Sequence, residues 1–150
     1  ATPAPAQLLA SANDAKAQLV NGTPTTASNP APDTVTIYDI STPTPREIAR
    51  VEAPTSVVGP PHSVALTPDE RLALVTANQR IDPANPTRTI PDTRLSVIDL
   101  RATPPAVVQT LEAGRGPAGL SVNRAGTLAL VANREAGTVS VFRIREARLE

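Results

Sequence analysis

No cysteine occurs in the 150 residues, and the aromatic side chains amount to one Tyr and one Phe. The first absence excludes disulfides, thiolate nucleophiles and cysteine-ligated metals. It leaves the compartment open, because exported proteins also do without cysteine. So few aromatics leave no stacking surface for single-stranded nucleic acid. An excess of either charge is missing too: 14 Lys and Arg balance 14 Asp and Glu, for a formal net charge of +0 at pH 7. No basic field is therefore expected to draw in nucleic acid or anionic lipid. No run approaches the roughly 18 apolar residues of a membrane span. Nor does a basic segment precede an apolar stretch, as in an intact signal peptide. The opening ATPAPA suits a remnant of export processing, and equally an ordinary Ala/Pro-rich leader.

Proline is what the chain has in plenty, 17 residues against 7 glycines. The prolines fall between apolar runs, as expected where they punctuate strands. Residues 34–40 alternate, with Val35 and Ile37 to one side and Thr36 and Tyr38 to the other, which is the period of a strand. Thr67-Pro68-Asp69-Glu70 suits a type I turn with proline second. Leu72 to Ala77 is apolar without alternation, which predicts a strand covered on both faces. Gly126 occupies the place of Glu70 in the following turn, where it would tolerate positive φ. No segment has the three-and-four spacing of an amphipathic helix, although residues 14–20 leave a short helix as an alternative. The expected fold class is all-β.

Self-similarity organises these strands. Residues 114–144 read GRGPAGLSVNRAGTLALVANREAGTVSVFRI, and a second copy runs over 59–100, with PPHSVALTPDERLALVTAN and, after a longer loop, TRLSVIDL. A partial copy opens the chain with QLLASAN and DTVTIYDI. The compact copy implies a unit of roughly 40–45 residues, the size of a four-stranded propeller blade. One propeller segment is expected, with a partial blade over 7–53, a blade over 61–112 and an incomplete blade over 117–150. Residues 145–150 stop where a further strand should begin. Both LALVTAN and LALVAN read as strands sandwiched between blades, and each end of the segment should expose an apolar face and open edges.

LALVTAN before RLSVIDL, and LALVAN before GTVSVFRI, resemble the YVTN-repeat β-propellers, which are lactonase-like and quinoprotein-like in fold. In them a G-x-x-P segment opens each repeat, supplied here by Gly114-Arg115-Gly116-Pro117 and by Gly59-Pro60-Pro61. The strands lack the family's Tyr, and Arg143 replaces the Asp present at Asp39 and Asp99. The resemblance implies antiparallel blades of a seven-bladed ring, of which this chain holds about two and a half. The remaining blades of a longer chain, or self-association of a short one, would close the ring. It also implies a periplasmic or secreted location.

In such blades the loops over 14–32 and 79–93 and the connections over 54–61 and 113–116 share one rim. Loop length varies on that rim alone, which makes it the expected binding face. His62, the one histidine, begins an innermost strand there, as a candidate general base or as a plain surface residue. Arg80, Arg115 and Arg134 share the rim and are candidates for holding a carboxylate or phosphate, or ordinary solvated charge. Asn78 and Asn133, with Asn13, recur at one strand end, either as ligand contacts or as local fasteners of the repeat. One histidine makes no transition-metal site, and Asp82, Asn85 and Asp92 lack the spacing of a calcium loop. No metal or cofactor is expected, and no nucleophile or nucleotide motif occurs. Two functions follow. One is an exported binding scaffold that holds a protein, peptide or small ligand at the long-loop rim. The other, implied by the resemblance, is a lactone hydrolase or quinoprotein-dehydrogenase-like enzyme at the channel mouth.

Overall fold

The computed structural model describes residues 7–56 and 62–150. In chain order the strands are β1 (Leu8–Asn13), β2 (Ala17–Val20), β3 (Thr23–Thr26), β4 (Thr34–Asp39), β5 (Arg46–Glu52), β6 (Val64–Leu66), β7 (Leu72–Thr76) and β8 (Gln79–Asp82). They continue as β9 (Asn85–Pro91), β10 (Arg94–Asp99), β11 (Ala106–Glu112), β12 (Pro117–Val122), β13 (Leu128–Asn133), β14 (Thr138–Arg145) and β15 (Arg148–Leu149). No helix occurs among the described residues. Three sheets form, ordered β1-β4-β5, β6-β7-β10-β11 and β12-β13-β14-β15, besides the two-stranded ribbons β2-β3 and β8-β9. The chain is all-β and antiparallel, as its alternation and turn residues predict. The proposed opening at Gly59-Pro60-Pro61 and the ATPAPA start lie outside the described residues.

The second sheet is the middle layer. Along β7 the side chains alternate between two cores. Leu72 and Leu74, with Leu95 and Val97 of β10, meet Leu120, Ala129, Val131 and Leu149 of the third sheet. Ala73, Val75 and Ile98 point the other way, onto Val35, Ile37, Val51 and Ala53 of the first sheet's side. All five residues of β7 are buried. A strand with both faces covered has no solvent side on which to place polar residues, which explains its unbroken apolar run.

The turns match their residues. The Glu70 N–H donates to the Thr67 carbonyl at 2.8 Å, and Glu70 adopts φ 53 where Gly126 adopts φ 68. Glycine reaches that conformation freely, whereas glutamate is strained there. In return, Glu70 Oε1 accepts the Gln7 and Leu8 N–H groups at 2.7 and 3.1 Å, tying β1 to the second sheet.

Four expectations need correction. Residues 14–32 and 79–93 are more than polar loops: each contains a ribbon, β2-β3 and β8-β9. Asn21 and Gly22 turn the first ribbon with φ 50 and 79, the pair of positive values a tight hairpin needs. Pro24, Pro86 and Pro91 argued against strands, yet a two-stranded ribbon has free edges where a missing N–H costs nothing. The helix alternative over 14–20 fails, since β2 occupies its second half. The chain end also pairs, as β15 returns on β14 through Glu146 and Ala147 at φ 48 and 66. Glu-Ala lacks the Asn-Gly signature of such a turn. Finally, β13 is covered on one face only, its residues alternating between exposed and buried.

Equivalent leucines of β7 and β13 therefore differ in burial. Leu74→Ala should cost about 2–5 kcal/mol of stability, the range for truncating a packed core leucine. Leu130→Ala in dilute protein should cost less than about 1 kcal/mol. Urea melts of both variants measure the contrast, and equal losses would contradict this layering.

Candidate functional site

The two ribbons rise from the same rim and pack on each other through β3 and β9. Each is held at its base by a buried or half-buried ion pair. Lys16 is 6% exposed. Its Nζ donates to Asp33 Oδ2 at 2.6 Å, to Asp14 Oδ1 at 3.1 Å and to the Thr55 carbonyl. Asp33 also accepts the N–H groups of Ala15 and Thr55 at 3.0 and 3.2 Å. Removing either partner would leave a charge buried without compensation. The arrangement clamps the start of the first ribbon to the segment that leaves β5.

In the second ribbon Asp82 accepts from the Ala84 N–H at 2.9 Å and from Arg88 Nε at 2.6 Å. Those bonds, with the Arg88 charge, hold its carboxyl below the ordinary range. Asp92 is buried where β9 meets β10. Burial alone would push its carboxyl up. Bonds from the Arg94 guanidinium and the Thr93 N–H outweigh that and hold it below the ordinary range.

Between the first and second sheets these elements leave a cleft of ≈ 490 Å³, lined by Lys16, Asp33, Glu52, Arg80, Ile81 and Arg94 among others. Lys16 and Arg94 are committed to carboxylates. Arg80 is exposed and forms no ion pair among the described residues. A planar guanidinium with free N–H groups at a cleft wall suits a carboxylate or phosphate.

The other candidates sit elsewhere on the rim. Arg115 and Arg134 are exposed on the loops of the third sheet, where the Arg134 N–H donates to the Gly116 carbonyl at 2.8 Å. Neither lines the cleft. Asn78 is buried and donates from Nδ2 to that same Gly116 carbonyl at 3.1 Å, which joins the second sheet to the third. Gly116 adopts φ +66, and a Cβ on it would meet the Glu135 side chain at 2.6 Å. Asn133 is buried and donates to the hydroxyls of Thr138 and Ser140 at 3.1 and 2.9 Å, while its Oδ1 has no partner among the described residues. Asn13 makes the corresponding bond to Thr36 in the first sheet, at 3.0 Å. His62 is exposed, and its carbonyl accepts the Leu120 N–H at 3.0 Å. No cluster of three or more His, Asp or Glu able to hold a metal occurs among the described residues.

The Lys16 clamp had no sequence signal, since its partners lie on both sides of a ribbon.

Neither a protein-family model nor a curated protein matches this chain. Solved structures do. A candidate 6-phosphogluconolactonase from Bacteroides fragilis superposes with a TM-score of 0.58 at 19% identity, over 78% of this chain and 31% of that one. Its counterpart from Bacteroides uniformis gives 0.59 at 16% identity, over 78% and 32%. This chain spans about a third of the length of either structure. At such identities the likeness shows the fold, which is that of a lactonase-like β-propeller.

The Asp92–Arg94 pair sets an acid limit for the rim. A carboxyl with a lowered folded pKa stabilises the fold above its unfolded value of about 3.9 and loses that contribution as pH falls. Stability in urea should therefore fall below about pH 4, and the fall should be shallower in Asp92→Asn. Equal acid slopes would remove Asp92 from this role.

Proposed function

We propose that this chain is the ligand-binding part of a β-propeller with YVTN-type repeats, and that its ribbon-bearing rim is the binding face. The ligand carries a carboxylate or phosphate, which Arg80 holds at the cleft between the first and second sheets. One observation carries this reading: Arg80 is the cation of that cleft left without an ion pair among the described residues. The clamps at Lys16 and Asp92 support it, because a site is selective only when its walls keep their geometry. Titration calorimetry with 6-phosphogluconate as the probe tests it at low salt. A dissociation constant below about 1 mM is expected, weakened about tenfold or more in Arg80→Ala, as for a lost charge-assisted bond. Absent binding, or unchanged affinity in the variant, ends the assignment.

The lactonase-like fold of the solved neighbours favours a second reading, hydrolysis of a lactone at the same rim. His62 would take the proton of the attacking water, and Arg115 or Arg134 would hold an acidic group of the substrate. Fold likeness is its support, and propellers host many unrelated activities. Turnover of small sugar lactones is the assay, with loss of about 10²-fold or more expected in His62→Ala. Lactone hydrolysis that is absent, or unaffected by that substitution, excludes this reading.

A further inference from the structure

Five charged side chains line the cleft between the first and second sheets, and three of them are neutralised within the fold. Lys16 and Asp33 bond each other at 2.6 Å, and the Arg94 guanidinium lies on Asp92. Arg80 and Glu52 remain. Neither forms an ion pair among the described residues, and although both line the same cleft they stand too far apart to pair with each other. The other six lining residues are proline, alanine or isoleucine, and none has a polar side chain.

The fold puts the two charges on separate elements. Glu52 ends β5 opposite Thr34 of β4, and it points outward because Val51 and Ala53 on either side of it are buried. Arg80 lies on β8 opposite Ile90 of the second ribbon, and it too is exposed. Each backbone is fixed by strand pairing, so the separation of the two charges is a property of the fold. A cleft of ≈ 490 Å³ falls in the range, roughly 300–1,000 Å³, that takes a small molecule.

The signs decide which molecule suits it. A ligand that is anionic throughout gains at Arg80 and is repelled by Glu52, whereas a simple cation meets the reverse. A ligand with an anionic group at one end and an ammonium at the other is attracted at both. We propose that the ligand of this cleft is a zwitterion, whose carboxylate or phosphate lies on Arg80 and whose protonated amine lies on Glu52. The assignment rests on the anion reading of the cleft and adds the second contact. Glu52 then acts in two ways, since it attracts the amine and also rejects anions that lack one.

Titration calorimetry at low salt with two matched pairs of probes tests it, because the members of each pair differ by one amine. Phosphoethanolamine against ethyl phosphate sets the amine close to the phosphate. Glucosamine 6-phosphate against glucose 6-phosphate sets it farther away. The aminated member of at least one pair should bind about fivefold tighter, the upper range for an exposed ion pair. That preference should fall to about unity in Glu52→Gln and invert in Glu52→Lys. Position 52 is exposed, so both variants should keep the wild-type circular dichroism. No preference in either pair would overturn the proposal, as would a preference that survives Glu52→Gln. In both cases phosphate binding that weakens in Arg80→Ala would leave the anion reading standing. If no probe binds, or if binding ignores Arg80→Ala, the anion reading fails and this inference fails with it.

Discussion

Everything in this molecule depends on the double burial of one strand. β7 sends Leu72 and Leu74 into one core and Ala73 and Val75 into the other, so it lies at the centre of both, with β6, β10 and β11 sharing the contacts to the outer sheets. A four-stranded sheet has two faces, and water on one of them favours polar residues at alternate positions. Where both faces are covered, that alternation disappears. The hydrophobic term thus acts across the sheets, and hydrogen bonding acts within them.

Polar interactions then determine what the rim can do. The Gly116 carbonyl receives both the Asn78 amide and the Arg134 N–H, joining two sheets at one atom. Lys16 gathers Asp14, Asp33 and the Thr55 carbonyl around a buried charge at the other junction. Such groups cost much to desolvate and are retained where they hold a particular geometry. Here that geometry is the height and spacing of two ribbons above a cleft. Arg80 is held on β8 of that framework, and its side chain forms no ion pair among the described residues. A fixed wall bearing a cation without an ion pair among the described residues is what the proposed anion site rests on.

Much of this was legible in the residues. The all-β fold followed from alternation in β4 and from the absence of helical spacing. The two tight turns followed from Pro68 and Gly126, and the positive φ that Gly126 would tolerate is adopted there and at Glu70 alike. The rim location of the long segments was also legible, because loop length varied at one end of the repeat. The ribbons were not. Pro24, Pro86 and Pro91 look like strand breakers, and only the knowledge that an edge N–H meets solvent makes them tolerable. β15 was equally hidden, since Glu146 and Ala147 are poor candidates for the positive φ they adopt.

By itself the sequence determined the local terms: strand period, turn chemistry, the repeat, and which faces are apolar. These depend on neighbours within a few residues, where pattern and conformation correspond directly. The tertiary structure alone decided which apolar faces are covered. LALVTAN and LALVAN are nearly the same word, yet one is sealed on both sides and the other on one. It also decided how the cations pair, joining Lys16 to Asp33 and Arg94 to Asp92 while Arg80 forms no ion pair among the described residues. Burial and charge pairing are properties of what folds against a residue, and no stretch of chain carries that information about itself.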